Sequence, residues 1–485
     1  MEQNARKMIQ ILGTSSNAGK TTLTMAICRY LSNMGYRVAP FKSVNMSLNS
    51  VALPDGTEIS RSVWLQAKAA RTLPDFHMNP FLMKPEGAGK SQIIMNGRSM
   101  GIYSVEEYHD LYVKMAIDTI KLDLEYLFGK YDVVVAEGAG SPAEINIMDR
   151  DFANIAVSEI WKTPALLVGD IDRGGIFASL YGTVRLMRSS DLVNWFVINN
   201  MRGDPSLLEP GIRKLEEITG KKTIGIVPHL ENFTLPGEDS LDYSIYKGHG
   251  RFAVIRYPHM ENYSEVDPLR LFGIDFFYAD ASNPKTLQTA DFILLPGSKR
   301  VDLDLDYLTD SGLAAEIVHE AANGKYILGV CGGYQMLGKD IIFRELSNGE
   351  KYTRKGLGLL NVDTEYGTEK ITGWVTGKFN LAAIGRDSEF KGYEIHFGVV
   401  KNHGEKPLLR IRNRLEGAVS GNGRIIGTNV HGLLENSTFL SYFMQETFYE
   451  YDMDGRLDEN ISKVSDHFMK NIDFSPVMNN LDLTG

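Results

Sequence analysis

The sequence predicts a two-domain α/β protein, and three observations carry that expectation. Short apolar runs rich in β-branched residues alternate with helical stretches through the first half. The alternation restarts at Phe252-Ala253-Val254-Ile255. Between the two lies the polar stretch 231–250, whose Pro236, Gly237, Gly248 and Gly250 give it the composition of a linker. Runs that are apolar at nearly every position fit strands covered on both faces, as in a parallel sheet flanked by helices.

In chain order, strands are expected at 8–12, 37–41, 132–136, 165–169, 195–199 and 223–227. Glycine and charge gather where these runs end: Glu137-Gly138-Ala139-Gly140, Asp170-Ile171-Asp172-Arg173-Gly174-Gly175 and Asn200-Met201-Arg202-Gly203-Asp204. In open α/β sheets, ligands bind at that edge. The second half offers strands at 252–255, 291–295, 326–330 and 424–430, a helix at 314–323 and a β-rich stretch at 373–394. After Ser437 a helix and a polar tail are expected. The division is therefore 1–245, 250–445 and a terminal 446–485, with no internal repeat or low-complexity segment.

Composition bounds the function. A chain of 485 residues divides into two or three domains. Its 43% hydrophobic and 23% charged residues are ordinary for a water-soluble protein. A net charge of −10 argues against a nucleic-acid partner, which needs a basic face. The two cysteines, Cys28 and Cys331, suit neither a disulfide framework nor a zinc site. No apolar h-region follows Met1-Glu2-Gln3-Asn4-Ala5-Arg6-Lys7, and no run nears the ~20 residues that span a bilayer. The expectation is a cytoplasmic protein without membrane partners; a homo-oligomer is compatible with it.

Gly13-Thr14-Ser15-Ser16-Asn17-Ala18-Gly19-Lys20-Thr21 follows the first strand and opens a helix. Such a loop aims backbone N–H groups at phosphate oxygens, and the helix N-terminus adds favourable potential. Gly13, Thr14, Asn17, Ala18 and Gly19 form the expected ATP cradle, with Lys20 on the β/γ-phosphates and the Thr21 hydroxyl on Mg²⁺. Five residues separate Gly13 from Gly19 instead of the usual four, so Thr14 holds the usual first-glycine position. Mg²⁺ needs a carboxylate beyond the loop, and Glu137 at a strand end is the candidate.

The other site begins at Gly329-Val330-Cys331-Gly332-Gly333. Its glycines permit a sharp strand-to-helix turn that exposes Cys331 at the apex, where the following helix N-terminus favours a thiolate. His431, one hundred positions on, supplies proton transfer. The amides of Gly297 and Gly332 are placed as an oxyanion hole. Cys28, in the helix after the phosphate loop, reads as core. Taken together, ATP activates one substrate while a thiolate releases a nucleophile from another. That pairing describes a glutamine-dependent, ATP-driven amide-forming enzyme.

These residues resemble the cobyric acid synthase family over roughly residues 9–436. The phosphate loop is similar to the dethiobiotin-synthetase-like variant, which shares the five-residue gap. The most specific likeness is Glu137-Gly138-Ala139-Gly140-Ser141-Pro142-Ala143-Glu144-Ile145-Asn146, supported by the segments 41–50, 170–178 and 200–204. In the second half, 295–299, 330–338 and Gly392-Tyr393-Glu394-Ile395-His396 resemble the family's amidotransferase half. Val44 departs from the glutamine expected there. Leu433 stands where triad amidotransferases carry a glutamate, an absence common in the cobyric and cobyrinic amidating families. What orients His431 is left open, since Glu435 reads as a solvated surface carboxylate.

The resemblance implies a P-loop NTPase-like parallel-sheet domain followed by a flavodoxin-like class I glutamine amidotransferase domain. It implies that a corrin substrate, cobyrinic acid a,c-diamide, gains amides at its b, d, e and g carboxylates through acyl phosphates, with L-glutamine as ammonia source and ATP and Mg²⁺ as cofactors. Lys20 and Lys42 would stabilise the charge moving to phosphate. Arg150, Arg173 and Arg202, on active-edge loops, are the candidate corrin contacts. Cobyrinic acid a,c-diamide synthase shares both domains, but length and the Ser-Pro-Ala-Glu-Ile-Asn segment favour the cobyric enzyme. A partitioning-type P-loop ATPase leaves Cys331 and His431 unexplained.

Overall fold

Strand Met8–Gly13 lies at the middle of a six-stranded parallel sheet ordered Lys222–Pro228, Val193–Met201, Ala165–Asp170, Met8–Gly13, Val133–Glu137, Val38–Phe41. All six expected strands form, each within a few residues of its expected bounds. Ile9, Ile11, Val135, Leu166, Val168 and Val197 are fully buried, which is why these runs read as continuously apolar. The register sets Ile11 beside Glu137 and Gly13 beside Val168, so the loops after three neighbouring strands open at one sheet edge. The computed structural model describes residues 6–87, 89–230, 235, 250–344, 350–381, 388–448 and 452–483. The expected linker at 231–250 lies outside the described residues except for Leu235 and Gly250.

By internal contacts the chain forms two units. One holds Met1–Ser47, Ile59–Glu238 and Gly455–Gly485, and the other Leu48–Glu58 and Asp239–Asp454. This differs from the expected division at 48–58 and in the C-terminal stretch. The terminal stretch is no polar tail. Helix Met453–Lys470 buries Leu457, Ile461, Val464 and Phe468, a stripe at spacings of four, three and four that marks one helical face. Those residues share a core with Leu23, Ile27 and Leu31 of the phosphate-loop helix Lys20–Asn33. Ser465 donates to the Ala26 carbonyl at 2.9 Å, and fully buried Arg29 pairs with Asp458. Cys28 lies in the same core, where burial, helped by the charge of Glu137, pushes its thiol up.

A four-stranded sheet of Val44–Met46, Phe81–Gly87, Lys90–Met95 and Arg98–Ser104 was not expected from the sequence. Its signal was present: Asn96-Gly97, both at positive φ, form the two-residue turn between Met95 and Arg98.

The second unit centres on strands ordered Phe276–Ala279, Phe252–Ile255, Phe292–Leu295, Tyr326–Val330, Ile425–Thr428 and Ala418–Val419, parallel except for the last. The helix expected at 314–323 forms as Leu313–Ala322. The β-rich stretch belongs to a long antiparallel pair, Val362–Phe379 with Glu389–Asn402. The strand expected at 424–430 is in fact two. Buried Glu416 accepts from the Asn429 amide at 2.7 Å and the Thr428 hydroxyl at 2.7 Å, interrupting the ladder. Val430–His431 then joins the antiparallel sheet, with His431 opposite Tyr393.

Among the described residues, no helix is long and apolar enough to cross a membrane.

Candidate functional site: a phosphate loop and a cysteine elbow

In the first unit the loop after Met8–Gly13 turns through Asn17 (φ 61°) and Gly19 (φ 101°) into helix Lys20–Asn33. Lys20 folds back over Gly13: a Cβ there would fall 2.8–2.9 Å from three of its side-chain atoms, so a larger residue would displace the lysine. The Lys20 ammonium donates to the carbonyls of Ser15 and Gly140, each at 2.9 Å. Glu137, almost fully buried at its strand end, gathers three donors. Thr21 Oγ1 donates to its Oε1 at 2.8 Å, Lys42 Nζ at 3.0 Å, and Gln66 Nε2 donates to Oε2.

A hydroxyl and a carboxylate oxygen 2.8 Å apart are the hard donors that Mg²⁺ takes together with phosphate oxygens and water. Among the described residues no group of three or more His, Cys, Asp or Glu could hold a metal. A cation shared with nucleotide phosphates therefore fits Thr21 and Glu137 better than an all-protein cage. Gln66 gave no sequence signal, being one glutamine in a helix; only the fold brings it to Glu137.

The three arginines are not gathered in the same way. Arg202 is half-exposed and paired with Asp172 at 2.6 Å, whose carboxyl is held below the usual range chiefly by that hydrogen bond. Arg173 is exposed on the neighbouring loop. Arg150 ends the short helix Met148–Arg150, and its side chain lies outside the described residues.

In the second unit, Cys331 adopts φ 52°, ψ −111° between strand Tyr326–Val330 and helix Gly332–Leu337. A side chain at positive φ is strained, and such strain is kept where it aims a reactive group. The Cys331 sulfur lies 3.5 Å from the Ile395 carbonyl. A Cβ on Gly332 would fall 2.6 Å from the Ser298 amide nitrogen, and one on Gly297 3.4 Å from His431 Cε1. The fold thus brings Cys331, His431, Gly297 and Gly332 together, although they come from three separate stretches of chain.

His431 is fully buried, its ring stacked on Tyr393 at 5.0 Å between centroids. Its Nδ1 lies 2.9 Å from Oε1 of Glu265, which is itself 1% exposed and also accepts from the Gly432 amide at 3.3 Å. Burial alone would lower the imidazole pKa. The Glu265 charge and the contacts to Cys331 and Glu265 outweigh it and raise the pKa to about 10. The other ring nitrogen, Nε2, is buried without a hydrogen-bond partner. Glu265 is the carboxylate that the sequence left unidentified. It precedes His431 by 166 positions, at the start of helix Val266–Leu271, where no motif could flag it.

Each half of the chain has its counterpart among known protein families. Residues 9–241 match the CobQ/CobB/MinD/ParA nucleotide binding domain, and residues 251–439 the CobB/CobQ-like glutamine amidotransferase domain. The molecule is therefore a nucleotide-binding unit joined to a glutamine amidotransferase unit, a glutamine-hydrolysing amide ligase. It is 51% identical to the probable cobyric acid synthase of Picrophilus torridus over 92% of this chain and 93% of that one. It is 40% identical to the cobyric acid synthase of Dehalococcoides mccartyi over 90% of each chain, and 38% identical to that of Aliivibrio fischeri over 96% of each. The chain belongs to the cobyric acid synthase family.

Proposed function

We propose that this chain converts cobyrinic acid a,c-diamide, carrying its adenosyl ligand, to cobyric acid by amidating the b, d, e and g carboxylates in the cytoplasm. The observation that supports the reading is that one chain carries two chemically different clusters of polar side chains, one in each unit. Lys20, Thr21, Lys42 and Glu137 form a nucleotide site, and Cys331, His431 and Glu265 form a glutaminase site.

In the glutaminase unit, the Cys331 thiolate attacks the glutamine carboxamide carbon. The oxyanion that forms is met by the Gly297 and Gly332 amides. His431, protonated at neutral pH and held by Glu265, gives its proton to the departing ammonia. Water then cleaves the thioester, releasing glutamate and restoring the thiolate while His431 regains a proton.

In the nucleotide unit, a corrin carboxylate oxygen attacks the γ-phosphorus of ATP, forming an acyl phosphate and releasing ADP. Ammonia adds to the acyl carbon, phosphate leaves, and an amide remains. Activation is required because a carboxylate is a poor electrophile. Lys20 and Lys42 stabilise the charge on the transferring group. Thr21 and Glu137 would hold Mg²⁺, which when bound neutralises phosphate charge. Ile145 and Ile147, 67% and 50% exposed after the Glu137 strand, offer apolar surface suited to a macrocycle, and Arg173 and Arg202 remain the candidate contacts for its carboxylates.

Mass spectrometry of corrin products tests the reading by counting amides. Four added to the a,c-diamide is the expected result. Addition at a and c only, starting from cobyrinic acid, would assign the chain to the diamide synthase reaction instead.

A further inference from the structure

Pro296-Gly297-Ser298-Lys299, the loop that carries the Gly297 amide, leaves strand Phe292–Leu295 and leads into helix Val301–Asp310. A loop that contributes to an oxyanion hole has to be held still, because the amide must already face the place where charge develops. Residues 257–261 of the same unit back this loop, with an isolated antiparallel bridge between Met260 and Ser298. The Glu261 amide donates to the Gly297 carbonyl at 2.8 Å, and the Lys299 amide to the His259 carbonyl at 2.8 Å. Buried Tyr257 donates its hydroxyl to the Pro296 carbonyl.

Those bonds tie the loop to its backing segment. Asp304 ties both to the following helix. It is fully buried in the first turn of that helix, where the N-terminal dipole favours a carboxylate. Its Oδ2 accepts from the Ser298 hydroxyl at 2.6 Å. Its Oδ1 accepts from the His259 amide at 3.2 Å and lies 2.9 Å from His259 Nδ1. Ser298 Oγ accepts in turn from the Arg300 amide at 3.2 Å. Burial raises the Asp304 pKa, and the hydrogen bonds from Ser298 and His259 pull it the other way. A carboxylate buried at such cost is retained only where donors meet it. Among the described residues its side chain bonds to Ser298 and His259, not to Cys331 or His431.

The loop that Asp304 holds has no slack toward the reacting groups. The Ser298 amide nitrogen packs against Gly332, and Gly297 against His431 Cε1, at the distances given above.

Resting on the glutaminase reading proposed above, we infer that Asp304 is the positioning residue of the oxyanion hole. It fixes the 296–299 loop through Ser298 and His259, so that the Gly297 amide meets the oxyanion, and it leaves the thiolate of Cys331 unaffected.

The test compares two reactions of Cys331 in the full-length protein. Glutamine hydrolysis passes through an oxyanion. Alkylation by iodoacetamide does not: the sulfur bonds to the methylene carbon as iodide leaves. Cys28 is fully buried with its thiol pushed up, so alkylation reads Cys331. Asp304→Asn, which keeps the size of the side chain, should lower kcat for glutamate release about 100-fold, the scale of a small misplacement at a reacting centre. KM for glutamine and the alkylation rate should stay near the wild-type values. Ser298→Ala removes one donor and leaves the buried carboxylate in place; it should lower kcat roughly 10-fold, again with alkylation kept. The double variant should be no slower than Asp304→Asn alone, because both changes break the same bond. A kcat within about 3-fold of wild type in Asp304→Asn overturns the assignment. So does a loss of alkylation parallel to the loss of kcat in both single variants, or additive losses in the double variant. Absence of glutamate release by the wild type would instead overturn the glutaminase reading.

Discussion

Lys20 and Lys42 in the nucleotide unit are cations kept in reserve, one resting on two carbonyls and the other on a buried carboxylate. In the glutaminase unit the raised pKa belongs to His431, fully buried beside Glu265 and near Cys331. The first site is prepared for a ligand that brings much negative charge. The second is prepared for a neutral amide and creates its own charge separation. Electrostatic preorganisation serves both, but only the second depends on excluding water.

Four substitutions test that contrast, the largest effect first. Cys331→Ser should reduce glutamine-dependent amidation by roughly 10⁵-fold or more, the scale of losing a nucleophile. High ammonium at alkaline pH should restore corrin amides, because the nucleotide unit is untouched. Retained glutamine activity, or no rescue in a folded variant, would break the division of labour.

Lys20→Ala should lower amidation about 1,000-fold with either nitrogen source, since both routes need the activated carboxylate. Normal ammonium-driven turnover in that variant would remove Lys20 from phosphate chemistry.

Glu265→Gln should lower glutaminase kcat roughly 100-fold or more, with a smaller change in KM, by leaving His431 without its charged partner. The pH dependence of stability should change as well. A histidine raised from 6.5 to about 10 on folding contributes stability that is complete below pH 6.5 and is lost as pH rises through about 10. In Glu265→Gln, thermal unfolding should vary less across that window. An unchanged pH profile would demote Glu265 to packing.

The smallest effect separates the units by stability. Ile461→Ala, in the terminal helix packed on the phosphate-loop helix, should cost about 2–4 kcal/mol. It should impair ammonium-driven amidation on warming before it impairs glutamine hydrolysis, checked by assaying both after graded heating.

Much of this was legible in the sequence because it is local. A phosphate loop needs a strand, a turn and a helix in direct succession, and Gly13 to Thr21 supply all three within nine residues. The cysteine elbow is likewise written in five consecutive residues, and the strands on either side of it formed where their apolar runs lay. Neighbouring residues must satisfy the same backbone, so their identities constrain one another.

The tertiary structure decided what depends on distant chain. Gln66 completes the Glu137 cradle, Glu265 orients His431, residues 48–58 join the glutaminase unit, and the terminal helix completes the nucleotide core. In each case the partner is an ordinary residue whose role comes from burial. A carboxylate driven into a low-dielectric interior must find a donor, and an apolar helix face must find a surface. The sequence states those needs, but packing across hundreds of residues chooses how they are met.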